Sequence, residues 1–261
     1  MLLVTGILIG SVLGLTGAGG SVFAVPLLVI GAGLAMQDAT GIALGVVASS
    51  AAVGVLLRAR SGQLALRPAL LLIMSGSVTV LVGQRLALLI PGGWLSFLFL
   101  LLALVIALRM WRQATDQGSE ARHPRGLLAD SESEVSAGFS GDGLMLVVAG
   151  GFAGLLAGIF GVGGGFFIVP MLIFLTQMNM RIAIGTSLLV ILVLSLTGFA
   201  GYLYQRPQMD WELLVLLAGG GALGMLLGSR TAAFLNGVVL QRLFAVAIGL
   251  LSLFSLLKIS L

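Results

Sequence analysis

Long apolar runs separated by short polar clusters dominate this chain. The first run extends from Leu2 to about Leu34. As one helix it would rise roughly 50 Å, against a hydrocarbon core of about 30 Å. Two arrangements fit: a long, tilted, broken span, or two half-helices folded back on each other at Thr16–Ser21. Gln37 and Asp38 mark a polar turn. Further spans are expected from about Ala39 to Leu57, Pro68 to Gln84 and Trp94 to Leu108. Trp94 and Trp111 bracket the last of these, as interfacial aromatics do. The runs are continuous rather than alternating, which excludes a transmembrane barrel.

Residues 109–143 interrupt the pattern with four Arg, six acidic residues and His123, and read as a solvated linker. After it the chain starts again. Gly150, Gly154 and Gly158 repeat Gly6, Gly10 and Gly14 at an offset of 144 residues. Gly161, Gly163 and Gly164 repeat Gly17, Gly19 and Gly20, and Pro170 repeats Pro26. After one inserted residue, Gly228-Ser229-Arg230 answers Gly83-Gln84-Arg85. The matches define an internal duplication: residues 1–112 are the first repeat, 113–143 the linker and 144–261 the second repeat. The expected fold is an all-α polytopic membrane protein with two duplicated halves. Each half has a Gly/Pro-broken first segment plus three transmembrane helices, about eight segments in total. If the first segment of each half spans, the halves are parallel; if it is re-entrant, they are inverted. Both arrangements gather most of the 13 basic residues on the linker side, so the positive-inside rule puts the linker in the cytoplasm without choosing between them. The excess length of the first segment favours the re-entrant form.

The two glycine clusters, Gly17-Ala18-Gly19-Gly20-Ser21 and Gly161-Val162-Gly163-Gly164-Gly165, are the candidate site. Pro26 and Pro170 close them as hinges or helix breaks. Broken backbone at membrane depth is tolerated only where protein or a watery cavity covers it. Broken helices at matching positions of two repeats point to a transporter's binding site. A half-helix that starts at such a break presents free N–H groups and the positive end of its dipole, which bind anions without a basic side chain. Ser21 in the first half, and Thr186 and Ser187 in the second, add hydroxyls. Thr16, Ser49 and Ser50 are further hydroxyls of the first half. Glycine clusters also serve packing alone, and Thr186 and Ser187 can bond back to carbonyls of their own helix.

Composition narrows the chemistry. The chain is 59% hydrophobic and 8% charged, too few charges to clothe a water-facing surface. Its N-terminus lacks the basic region of a cleavable signal. No carboxylate or histidine lies within a confident apolar run, which argues against a cation carrier and for an anion held by dipoles and hydroxyls. Cysteine is absent, and no nucleophile–base pair, metal-ligand cluster, P-loop or dinucleotide fingerprint is present. No enzyme activity, cofactor, metal or nucleic-acid partner is expected. The expected partners are a small anionic substrate and the lipid bilayer, with homo-oligomerisation left open.

The sequence Gly158-Ile159-Phe160-Gly161-Val162-Gly163-Gly164-Gly165 with Pro170, together with Gly185-Thr186-Ser187-Leu188 and Gly228-Ser229-Arg230, resembles the sulfite exporter TauE/SafE family, also called the toluene-sulfonate uptake permease family. The first half departs from the family pattern at Gly41-Ile42-Ala43, where a threonine and serine are common. The resemblance implies a multi-pass inner-membrane permease for small sulfur-containing anions such as sulfite or sulfonates. The expected mechanism is alternating access around the two breaks. The competing readings are an anion channel and a non-transporting membrane subunit of a complex.

Overall fold

The computed structural model describes residues 2–16, 21–59, 62, 64–95, 97–99, 101–102, 105, 143–205 and 209–231, and these contain helices but no strand. The bounded helices are α1 (Leu2–Thr16), α2 (Ser21–Gly31), α3 (Met36–Ala59), α4 (Leu66–Leu89), α5 (Gly143–Phe160), α6 (Gly165–Thr176), α7 (Met180–Gln205) and α8 (Trp211–Thr231). Further helical residues lie between 92 and 105, beginning two residues before the expected Trp94–Leu108 span. Among the described residues α3, α4, α5, α7 and α8 are long and apolar enough to cross a membrane. The body of the linker lies outside the described residues.

Local chemistry sets the ends of the spans. Asp38 sits in the first turn of α3 and Arg58 in its last, each complementing the helix dipole. This carries α3 two to three residues past the expected Ala39–Leu57 at each end. Pro68 occupies the first turn of α4, where its missing N–H is harmless. Ile90 ends α4 in an extended conformation (φ −91°, ψ 125°), as the residue before Pro91 prefers. Leu70, Met74 and Val78 of α4, Leu144 and Val148 of α5, and Val215 and Leu223 of α8 are exposed apolar side chains suited to lipid.

The long first segment is two helices folded back on each other. A Cβ on Gly31, the last residue of α2, would stand 3.5 Å from Thr5 Oγ1 near the start of α1. The segment that opens with α5 turns back likewise. A Cβ on Gly164 would lie 2.8 Å from the Ala153 carbonyl, and the Phe152 and Phe167 rings meet edge to face at 5.2 Å.

Glycines fix the helix directions. Cβ atoms on Gly6, Gly10 and Gly14 would strike the backbone of Leu217, Gly221 and Met225, so α1 runs parallel to α8. Cβ atoms on Gly150, Gly154 and Gly158 would strike Leu72, Gly76 and Val80, so α5 runs parallel to α4. In α3, Gly41 faces the Tyr202 ring, Gly45 the Phe199 ring and Gly54 the Leu188 side chain, so α3 and α7 are antiparallel. These two helices are the most deeply buried spans. The α1·α8 and α4·α5 seams are backbone-on-backbone contacts of the small-xxx-small kind, held by close packing because lipid supplies no hydrophobic drive between helices. Ser49 adds a bond across the α3–α8 contact, its Oγ donating to the carbonyls of Val46 (2.8 Å) and Ala218 (3.1 Å). Ser50 donates to the Val46 carbonyl at 2.8 Å.

Two glycines of α8 test this packing. Gly224 has no room for a Cβ beside the Ile7 carbonyl, whereas nothing lies within 4 Å of one on Gly219. Gly224→Ala is expected to lower stability by about 1–3 kcal/mol through overpacking. Gly219→Ala should leave stability unchanged or raise it by a few tenths of a kcal/mol through helix propensity, roughly as for an exposed site. Thermal unfolding of the two solubilised variants against the parent checks the contrast.

Candidate functional site

The break between α5 and α6 is built from three glycines in the left-handed region. Gly161, Gly163 and Gly164 have φ of 68°, 66° and 66°, a conformation that costs a residue with a Cβ about 1–2 kcal/mol. Gly161 closes α5, its N–H donating to the Ala157 carbonyl at 2.9 Å. Gly164 is the N-cap of α6 and offers no side chain; its carbonyl accepts from the N–H groups of Phe167 (3.1 Å) and Ile168 (3.3 Å). The amides of Gly165 and Phe166 precede those bonds and form the free N-terminal end of α6. Gly161 to Gly165 are all buried.

Protein covers this exposed backbone on several sides. Gly161 abuts Thr40 of α3, and Gly164 abuts Ala153 of α5. A Cβ on Gly163 would stand 3.3 Å from Val47 Cγ1, 3.3 Å from Ile191 Cγ2 and 3.1 Å from Ser195 Oγ. Val47 is central in α3 and Ile191 central in α7, so Gly163 reaches these two spans at mid-length. Ser195 is fully buried, and its hydroxyl has no hydrogen-bond partner among the described residues. The sequence reading missed Ser195. The available signal was a single hydroxyl after the aliphatic run Leu188–Leu194, 144 residues after Ala51.

The other expected residues fall as follows. Gly17, Gly19 and Gly20 lie outside the described residues, and Ser21 opens α2. Pro26 and Pro170 do not end their helices: each lies inside, as the sixth residue of α2 or α6, with only the carbonyl one turn back losing a donor. The break itself is made by glycine. Thr186 and Ser187 are fully buried in α7. Thr186 Oγ1 accepts from the Ala65 N–H at 3.0 Å, tying α7 to the residue before α4, and Ser187 Oγ donates back to the Ile184 carbonyl at 2.9 Å. Both lie on the α7 turns preceding Ile191. Gln84 of α4, also buried, donates from Nε2 to the Gly198 carbonyl, while its Oε1 has no partner among the described residues. Tyr202 donates its hydroxyl to Asp38 Oδ1 at 3.2 Å.

Among the described residues charge lies in or beside the terminal turns of the helices. Asp38, Arg58, Arg181, Glu212 and Arg230 occupy first or last turns of their helices, and Asp210 precedes α8. Among the described residues no group of acidic, His or Cys side chains could hold a metal ion. The break therefore brings together the amides and dipole of a helix N-terminus and the Ser195 hydroxyl.

Comparison with known proteins places the chain among membrane transporters. The sequence model of the family described as "Sulfite exporter TauE/SafE" matches residues 2–255. A "Probable membrane transporter protein" of Xylella fastidiosa (strain 9a5c) is 33% identical over 253 residues, covering 94% of this chain and 91% of that protein. The "Probable membrane transporter protein YdhB" of Bacillus subtilis (strain 168) is 26% identical over 238 residues, covering 90% of each chain. No solved structure matches significantly. The chain belongs to the sulfite exporter TauE/SafE family of membrane transporters and is not an enzyme.

The two hydroxyls of α7 should separate by substitution. Thr186→Val strands the Ala65 N–H and is expected to cost about 1–3 kcal/mol of stability. Ser187→Ala removes only a bond to its own helix and should cost under about 0.5 kcal/mol. Unfolding midpoints of the two variants provide the comparison, and equal losses would contradict the assigned partners.

Proposed function

We propose that this TauE/SafE-family protein is a secondary transporter of the cell inner membrane for a small organosulfur anion or oxyanion, such as sulfite or a sulfonate. It works by alternating access around two glycine-rich breaks. The observation that carries this reading is the placement of the Gly161–Gly165 break. It opens the N-terminus of a twelve-residue helix against the centres of α3 and α7. That end carries roughly half a positive elementary charge, in surroundings where an anion's other partners are scarce.

The helix directions favour two inverted halves. Gly6 of α1 meets Gly220 of α8, and Gly150 of α5 meets Gly76 of α4. Each contact is the other's copy at the 144-residue offset, with the halves exchanged. Equivalent helices α3 and α7 are antiparallel, as an axis in the membrane plane requires. The glycine seams bind α1 to α8 and α4 to α5 as closely packed pairs. The α3·α7 contact is made through larger side chains, such as Tyr202 and Leu188. Rocking at the α3·α7 contact would expose the break to each side in turn.

Uptake of isotopically labelled sulfite into proteoliposomes tests the transport reading. Saturable flux with counterflow is expected of a carrier; non-saturating flux without counterflow would identify a channel. Gly163→Leu should reduce that flux at least tenfold while the protein remains in the membrane, because the side chain would collide with Val47, Ile191 and Ser195. For the inverted arrangement, a reporter fused after residue 261 and one inserted within 113–143 should report opposite sides of the membrane. A cytoplasmic signal from both would reject inversion.

A further inference from the structure

We infer that Ser195 and the opening amides of α6 form one oxyanion subsite, and that this subsite is matched to a singly charged anion. The inference rests on the transport reading above and gives it a charge class and a residue. Three observations meet here. Ser195 is fully buried and its hydroxyl is unpartnered among the described residues. Serines at this depth ordinarily bond back to their own helix, as Ser50 and Ser187 do. A buried hydroxyl without a partner is a standing penalty of about 1–3 kcal/mol, which a ligand oxygen would relieve. The hydroxyl also faces the break: its oxygen is 3.1 Å from where a Cβ of Gly163 would stand, one residue before the cap of α6.

The charge class follows from what surrounds the pair. Val47 and Ile191 present methyl groups on the same flank. Among the described residues every Arg lies in or beside the terminal turns of a helix, away from the centres of α3 and α7. A helix N-terminus supplies roughly half an elementary charge, and a hydroxyl supplies a dipole. Together they can offset one negative charge in large part, but a second would remain buried without a counter-charge. Hydrogensulfite and an alkanesulfonate meet this condition; the sulfite and sulfate dianions do not. The half-site also provides a geometric reason for asymmetry, since the first-half position equivalent to Ser195 is Ala51.

The test uses the full-length protein, with hydrogensulfite, methanesulfonate and sulfate as probes in equilibrium binding and in proteoliposome flux. The parent protein should bind methanesulfonate with the same affinity across neutral pH and bind sulfate at least tenfold more weakly. Its sulfite affinity should rise as pH falls through the second ionisation of sulfurous acid. Ser195→Ala should weaken methanesulfonate binding about tenfold, the loss of one hydrogen bond to a charged ligand. Its unfolding midpoint without ligand should be unchanged or raised, because no internal bond is removed. Ser195→Thr, which keeps the hydroxyl, should recover part of the affinity. Parent-like affinity in Ser195→Ala, or sulfate binding as tight as methanesulfonate, would overturn the subsite while leaving transport intact. A parent protein that binds and moves none of the three anions would instead overturn the transport reading, and the subsite with it.

Discussion

An interrupted helix inside a bilayer must have its bare backbone covered by protein, and the described fold is arranged around that requirement. The break at Gly161–Gly165 ends α5 and starts α6, leaving amides without helical partners. Thr40, Val47, Ala153, Ile191 and Ser195 close around it from three helices. Covering it tightly demands that α3, α5 and α7 converge there. The glycine seams α1·α8 and α4·α5 fix the neighbouring helices, so the convergence does not depend on weak side-chain attraction in lipid. Three residues in the left-handed region hold the turn, and only glycine takes that conformation cheaply.

Much of this architecture was legible in the chain. The spacing of Gly6, Gly10 and Gly14, and of their copies, correctly marked faces for close helix contact, because small residues every fourth position form a smooth stripe whatever they pack against. The excess length of the first segment correctly suggested folding back. The pattern did not say which helix each stripe would meet. That is a long-range pairing, and α1 finds α8 rather than a helix nearer in sequence. Span ends were missed by two or three residues where Asp38 and Pro68 extended the first turns of α3 and α4.

The site was legible in backbone and less so in side chains. Glycine declares itself in sequence because few other roles explain so many at one point. A hydroxyl does not: Thr186, Ser187 and Ser195 look alike on paper, yet the first accepts a loop amide, the second bonds its own helix and the third bonds nothing among the described residues. The difference is set by which neighbouring helix supplies a partner, and that information lies in tertiary packing. The prolines were over-read for a related reason. Pro26 and Pro170 sit early enough in their helices for one lost hydrogen bond to be tolerated.

The pairing of α1 with α8 also constrains the order in which the molecule can be assembled. α1 is synthesised before every other described helix, but the backbone surface it packs against belongs to α8, which follows all of them. Gly6, Gly10 and Gly14 must therefore wait in the membrane, facing lipid or a provisional neighbour, while α2 to α7 are synthesised. The α4·α5 seam is available much earlier. Biogenesis should accordingly close the α4·α5 seam before the α1·α8 seam, leaving the glycine face of α1 uncovered in the interval.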